Sequence, residues 1–274
     1  MKLSLCNEVL REWSFARQCA FAAAVGYDGL EIAPFTLGPD PRRLTPRRIA
    51  AVRSALAAEG LVCSSLHWLL VAPEGLSITS PDATVRRTTV DVMRRLCDLA
   101  AELGAGVLVH GSPAQRRLTS GRQDAARRRA AECLAAAADA AQVAGVTYCI
   151  EPLAARETNF VNTVAEAVAL VEAIGKPAFR TMIDTCAAGI QEGDVVALID
   201  RWLPSGHVAH IQVNDPNRRG PGEGEMAFAP IVAALARQRY EGWVAVEPFV
   251  YEPDGATCAA RAAGYMRALQ ETSR

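Results

Sequence analysis

The chain has 274 residues, half of them hydrophobic and 22% charged, enough for one large core and close to the roughly 250 residues of a single α/β barrel. A formal net charge of −1 and a pI near 6.4 give no general attraction to nucleic acid or to an acidic membrane surface. No apolar run reaches the roughly 18 residues needed to cross a bilayer.

The N-terminal stretch Met1–Cys6 runs straight into Asn7 and Glu8, so it lacks a signal-peptide core and reads as the first strand. In chain order the strands are expected at 2–6, 28–32, 61–66, 106–110, 146–151, 180–184, 207–213 and 243–247. Helical stretches rich in Ala, Leu and Arg separate them. Thr45-Pro46 and Ser80-Pro81 each offer a capping hydroxyl followed by Pro at the first helical position. Thr163 with Glu166 forms a capping box. Gly60, Gly104, Gly145 and Gly242 each stand between a helix and the next strand, where a left-handed cap lets the chain reverse. Arginines such as Arg86, Arg87, Arg94 and Arg95 fall at helical spacing and read as solvated faces.

This alternation predicts an α/β fold, a single (β/α)8 TIM barrel occupying residues 1–274 as one domain. No G-x-G-x-x-G follows the first strand, which weighs against an open nucleotide-binding sheet. The longest irregular pieces, 33–44, 67–80, 111–121 and 214–228, all follow strands and would gather on the face where such barrels place active sites. The eight cysteines contain no Cys-x-x-Cys pair and read as reduced thiols of a cytoplasmic protein.

Four strands end on side chains able to hold a metal: Glu151, Asp184, Gln212 and Glu247. A single strand-end carboxylate is more often an ion-pair partner of a nearby Arg. Three that converge would repel one another unless a divalent cation lay between them, and oxygen-rich sets suit Mn²⁺, Mg²⁺ or similar ions. His210 competes with Gln212, because residues two apart on a strand share a face. His67 and His110 close the third and fourth strands; a lone His is usually a structural hydrogen-bonder, but two at adjacent strand ends are candidates for substrate contact. Trp13 and Trp68 could line a sugar face or simply pack. Glu8 is a further candidate at the mouth, while Arg116, Arg117 and Arg122 read as solvated loop cations that could also meet an anionic group.

The segments Ile150–Thr163, Met182–Thr185, His210–Gly222 and Val246–Phe249 resemble the xylose isomerase-like barrel superfamily of sugar isomerases and epimerases, of the D-tagatose 3-epimerase and hydroxypyruvate isomerase kind. The resemblance implies one divalent metal, Mn²⁺, Mg²⁺ or Zn²⁺, held by Glu151, Asp184, Gln212 and Glu247. It implies that Glu151 and Glu247 also pass a proton through an enediolate, and that Glu157 and Arg218 bind substrate oxygens. It departs at Ala187, where relatives carry a His that helps orient the substrate carbonyl. The implied function is a metal-dependent isomerase or epimerase of a small ketose or hydroxy-carbonyl sugar derivative. The competing readings are a dehydratase of the 3-dehydroshikimate or keto-inositol type, an AP endonuclease-like DNA repair enzyme, and a ligand-binding barrel without catalysis. A small sugar is the expected partner, with neither nucleic acid nor membrane. Homo-oligomers are common in the family, though no interface signature stands out in the sequence.

Overall fold

The computed structural model describes residues 1–119 and 121–273. Among these residues, eight parallel strands close into a barrel in sequence order. The strands are β1 (Lys2–Cys6), β2 (Gly29–Ile32), β3 (Val62–Leu66), β4 (Val107–His110), β5 (Thr147–Ile150), β6 (Phe179–Asp184), β7 (Val208–Val213) and β8 (Trp243–Val246). The helices wrapped outside are α1 (Phe15–Ala24), α2 (Pro46–Ala58), α3 (Ala83–Leu103), α4 (Gln123–Ala144), α5 (Val164–Ile174), α6 (Thr185–Gln191), α7 (Val195–Trp202), α8 (Phe228–Arg237) and α9 (Gly255–Thr272). None of the described helices is long and apolar enough to cross a membrane. The cysteines are free thiols, all of them buried.

Local chemistry accounts for most boundaries. Thr45 Oγ1 accepts the Arg48 N–H at 3.2 Å, with Pro46 opening α2. Thr163 Oγ1 accepts the Glu166 N–H, and Glu166 reaches back one residue further than a standard capping box, to the Asn162 N–H at 2.7 Å. Gly104 and Gly145 end α3 and α4 at φ of 78° and 71°, a region that costs other residues steric strain. Two expectations need correction. The start of α3 is capped by Asp82, whose carboxylate accepts the Thr84 N–H at 2.7 Å, so Ser80-Pro81 lies before the helix. Gly242 is not a left-handed cap; a Cβ there would come within 2.5 Å of the Tyr240 ring.

The strands alternate between two interiors. Tyr148 and Ile150 point outward into the main core shared with the helices, whereas Cys149 points inward to join Val109 and Met182 in a small apolar cluster. The opposite half of the lumen is polar. Glu31 of β2 reaches Ser65 of β3, Cys6 of β1 and Gln212 of β7, contacts that span the barrel and are possible only inside it. Register shifts at Leu30/Glu31 and Thr181/Met182 re-aim the ends of β2 and β6.

Candidate active site

Glu151, Asp184 and Glu247 follow or close β5, β6 and β8, and each offers a carboxylate oxygen within 4.8 Å of the others, all buried. Backbone bonds fix these ends: the Glu151 N–H donates to the His110 carbonyl, and the Glu247 N–H to the Val213 carbonyl, each at 3.2 Å. Asn214 braces the far side, giving its amide N–H to the Glu247 carbonyl and accepting the Cys186 N–H. Asp184 caps α6 with Oδ1, which accepts the Ala187 N–H at 2.6 Å, while its buried Oδ2 has no partner. Gln212 lies beside Asp184 in strand register. Its Nε2 donates to Glu31 at 2.8 Å, leaving a buried Oε1 without a donor.

Burial raises the pKa of Glu151 well above the usual carboxylate range, the Glu247 and Asp184 charges add to this, and Arg116 opposes it. Asp184 is likewise raised by burial and by Glu247, against the Ala187 N–H bond. Glu247 is pushed up to about 7 by burial, against the hydrogen bond and charge of His67. Three acids that hinder one another's ionisation, with Asp184 Oδ2 and the neighbouring Gln212 Oε1 lacking a partner among the described residues, make a site richer in acceptors than in donors. A divalent cation is the group such a donor set fits. His210 Nε2 stands 2.9 Å from Glu31 Oε1 but outside hydrogen-bond geometry, and neither of its ring nitrogens has a partner among the described residues.

His67 lies in the site but is not free to meet a substrate. Its Nδ1 bonds Glu247 Oε1 and its Nε2 bonds Glu8 Oε2, both at 3.0 Å. Burial alone would depress its pKa; the charges of Glu8 and Glu31 and these two bonds raise it well above the ordinary value. Cys6, Glu8, His67 and Glu247 also lie close enough to one another to suit a metal. With both ring nitrogens committed to carboxylates, an imidazolium already supplies the cation there. His67 thus holds Glu247 from behind.

His110 is not brought to the site. Strand alternation turns its ring outward, where Nδ1 meets the Tyr148 hydroxyl at 2.8 Å and burial lowers its pKa to about 3. The next residue, Gly111, faces inward directly under Glu151, and a Cβ there would collide with Glu151 Oε2. Gly111→Ala should therefore displace that carboxylate by a fraction of an ångström or more and cut turnover about 10²-fold with the fold intact, as steady-state kinetics beside circular dichroism would show.

Glu157 sits in the loop after β5, half-buried, close enough for its charge to raise Glu151 and Asp184. Arg218 is exposed at the rim, with its guanidinium 4.8 Å from the Phe249 ring centre. Phe249, Trp68 and Phe35 make a continuous aromatic wall, and Trp68 Nε1 donates to Glu247 at 3.1 Å. Trp13 packs edge-on against Phe21 instead. Glu31 is the residue that sequence reasoning missed, and Arg116, read there as a solvated loop cation that could meet an anion, is buried instead. Arg116 is fully buried, and its Nη1 donates to the Glu151 carbonyl at 2.6 Å. Burial lowers its pKa to about 10 against the pull of Glu151 and Glu157.

Residues 19–269 match the family described as the xylose isomerase-like TIM barrel. The chain belongs to that family. Within it, the chain is 29% identical over 232 residues to a D-psicose 3-epimerase of Ruminiclostridium cellulolyticum, covering 83% of this chain and 76% of that one. It is 26% identical over 237 residues to a probable ketose 3-epimerase of Synechocystis, again covering 83% and 76%. Among solved structures, the apo form of 3-keto-D-glucoside 4-epimerase from E. coli superposes with a TM-score of 0.84 at 20% identity, covering 98% of this chain and 99% of that one. A structure described as AP endonuclease, family 2, from Brucella melitensis reaches 0.75 at 24% identity, covering 96% and 98%. At these identities the structural likeness carries the fold of the xylose isomerase-like barrels and nothing further.

Proposed function

We propose that this xylose isomerase-like barrel, acting as one domain, is a divalent-metal-dependent epimerase or isomerase of a small ketose or related hydroxy-carbonyl sugar. The observation that carries the reading is the convergence of Glu151, Asp184 and Glu247, with Asp184 Oδ2 unpartnered among the described residues and Gln212, whose Oε1 is likewise unpartnered, next to Asp184 in strand register. Similar proteins are named as ketose, D-psicose and fructoselysine 3-epimerases, which supports this reading.

Glu151, Asp184, Gln212 and Glu247 would hold the ion, whose charge would make a C–H bond beside the substrate carbonyl acidic. Glu151 and Glu247 then do the proton work: one carboxylate takes the proton from that carbon, and the other returns a proton to it from the opposite side. Return to the neighbouring carbon would give isomerisation instead. His67 and Trp68 fix Glu247, and Arg116 and the space left by Gly111 fix Glu151. The aromatic wall of Phe35, Trp68 and Phe249 offers an apolar face to a sugar ring or chain, with Glu157 and Arg218 set to meet its hydroxyls.

Incubation with candidate ketoses and Mn²⁺ in D₂O tests this. Carbon-bound deuterium in a recovered epimer or isomer is the expected result. An unsaturated product absorbing in the ultraviolet would replace epimerisation with dehydration, and nicking of abasic DNA would replace it with repair chemistry.

A further inference from the structure

Glu31 lies outside the proposed set of metal-binding and proton-carrying residues, yet it is the most connected side chain of the lumen. It is fully buried on β2, and its two oxygens divide their work. Oε1 accepts the Ser65 hydroxyl at 2.7 Å and faces His210 Nε2 at 2.9 Å. Oε2 accepts Gln212 Nε2 at 2.8 Å and the Cys6 thiol at 3.0 Å.

The contact with Gln212 settles which end of that amide is which. An ionised carboxylate only accepts, so the amide atom against Glu31 must be the NH₂, and the oxygen must point the other way. Left to itself, an amide beside three carboxylates would turn its NH₂ toward them, because that gives hydrogen bonds in place of acceptor–acceptor repulsion. Gln212 instead gives its NH₂ to Glu31, and its Oε1 is buried with no partner among the described residues. Glu31 outcompetes the site for the donor end and so preserves an oxygen for a cation.

We infer that Glu31 is a positioning residue that locks the amide of Gln212 with its oxygen toward the carboxylate cluster, so that a neutral side chain can complete a cation site. The inference rests on the reading of Glu151, Asp184, Gln212 and Glu247 as metal-binding.

Calorimetric titration of Mn²⁺ into the chelator-treated full chain tests it without reference to turnover. The wild type should bind one ion. Glu31→Gln should bind it about 10–100-fold more weakly, the usual cost of losing a partner that orients a ligand. The reciprocal pair E31Q/Q212E is the decisive variant: it keeps one carboxylate and one amide, now with the amide N–H of residue 31 donating to a carboxylate at 212. A carboxylate presents oxygen whichever way it turns, so affinity should return to within about threefold of wild type. That variant also preserves the buried charge, which keeps the test alive if Glu31→Gln alone fails to fold. Equal Mn²⁺ affinity in Glu31→Gln and wild type would overturn the inference, as would a folded reciprocal pair that stays weakened. Absence of Mn²⁺ binding by the wild type would instead remove the metal reading on which the inference stands.

Discussion

Glu151→Gln and Glu247→Gln should each lower kcat about 10³-fold, within the range that a positioned general acid or base contributes. Each change keeps an oxygen at the same reach, so the fold and much of the metal affinity should persist while the ability to take up a proton is lost. Metal content and circular dichroism on the same preparations would confirm this. The two variants should also differ from each other in a way that simple damage would not produce. With one base gone, the remaining carboxylate can still remove and restore the proton of one epimer, so solvent deuterium should enter that epimer without inversion. The complementary variant should label the other epimer. Full turnover in either variant would leave the proton work to a single carboxylate and end the two-base account. The surroundings differ enough to make the experiment informative, since Glu247 is held by His67 and Trp68 whereas Glu151 is fixed through its main chain by Arg116.

The barrel was legible because its strands are short apolar runs set off by Gly and because the helices carry explicit caps. Expected strands 28–32, 180–184 and 207–213 lie within a residue of β2 (Gly29–Ile32), β6 (Phe179–Asp184) and β7 (Val208–Val213). The convergence of Glu151, Asp184 and Glu247 was also readable, since parallel strands in sequence order must bring their ends to one face. What escaped depended on which side of each strand faces the lumen. His67 and His110 both close strands, but only the first points inward, and nothing within Val107–His110 fixes that parity without the neighbouring strands. Gly111 then takes the inward position that His110 vacates. Glu31 did leave a trace: a lone acid within Gly29-Leu-Glu-Ile is costly unless its lumen partners await it. Arg116 was visible only as a loop cation, because Gln115-Arg116-Arg117 has the composition of an exposed loop, and only the carbonyl ends of β4 and β5 make it a buried clamp.

The second large effect joins metal, protons and stability. In the metal-free protein Glu151, Asp184 and Glu247 all hold protons more tightly than they would in the unfolded chain; for Glu247 the interval runs from the ordinary 4.5 to about 7. Between those limits these three carboxyls bind more protons in the folded than in the unfolded state and together favour unfolding as the pH rises, against the opposite contribution of His110, whose folded pKa of about 3 lies below its ordinary 6.5. This stability is fully present below the unfolded value and is lost as pH climbs through the folded one. The chelator-treated protein should accordingly melt at a lower temperature at pH 7 than at pH 5. A divalent ion reverses the trend because it takes the place of the protons, and its affinity should rise about tenfold per pH unit for each proton displaced. At a hundredfold excess over its dissociation constant the ion adds about 2.7 kcal/mol, an increase in Tm of about 5–10 °C for a chain of this size. Calorimetric scans with and without Mn²⁺ across that interval would measure both slopes. A Mn²⁺ increment that ignores pH would mean that the three carboxylates do not share their protons at a common cation site.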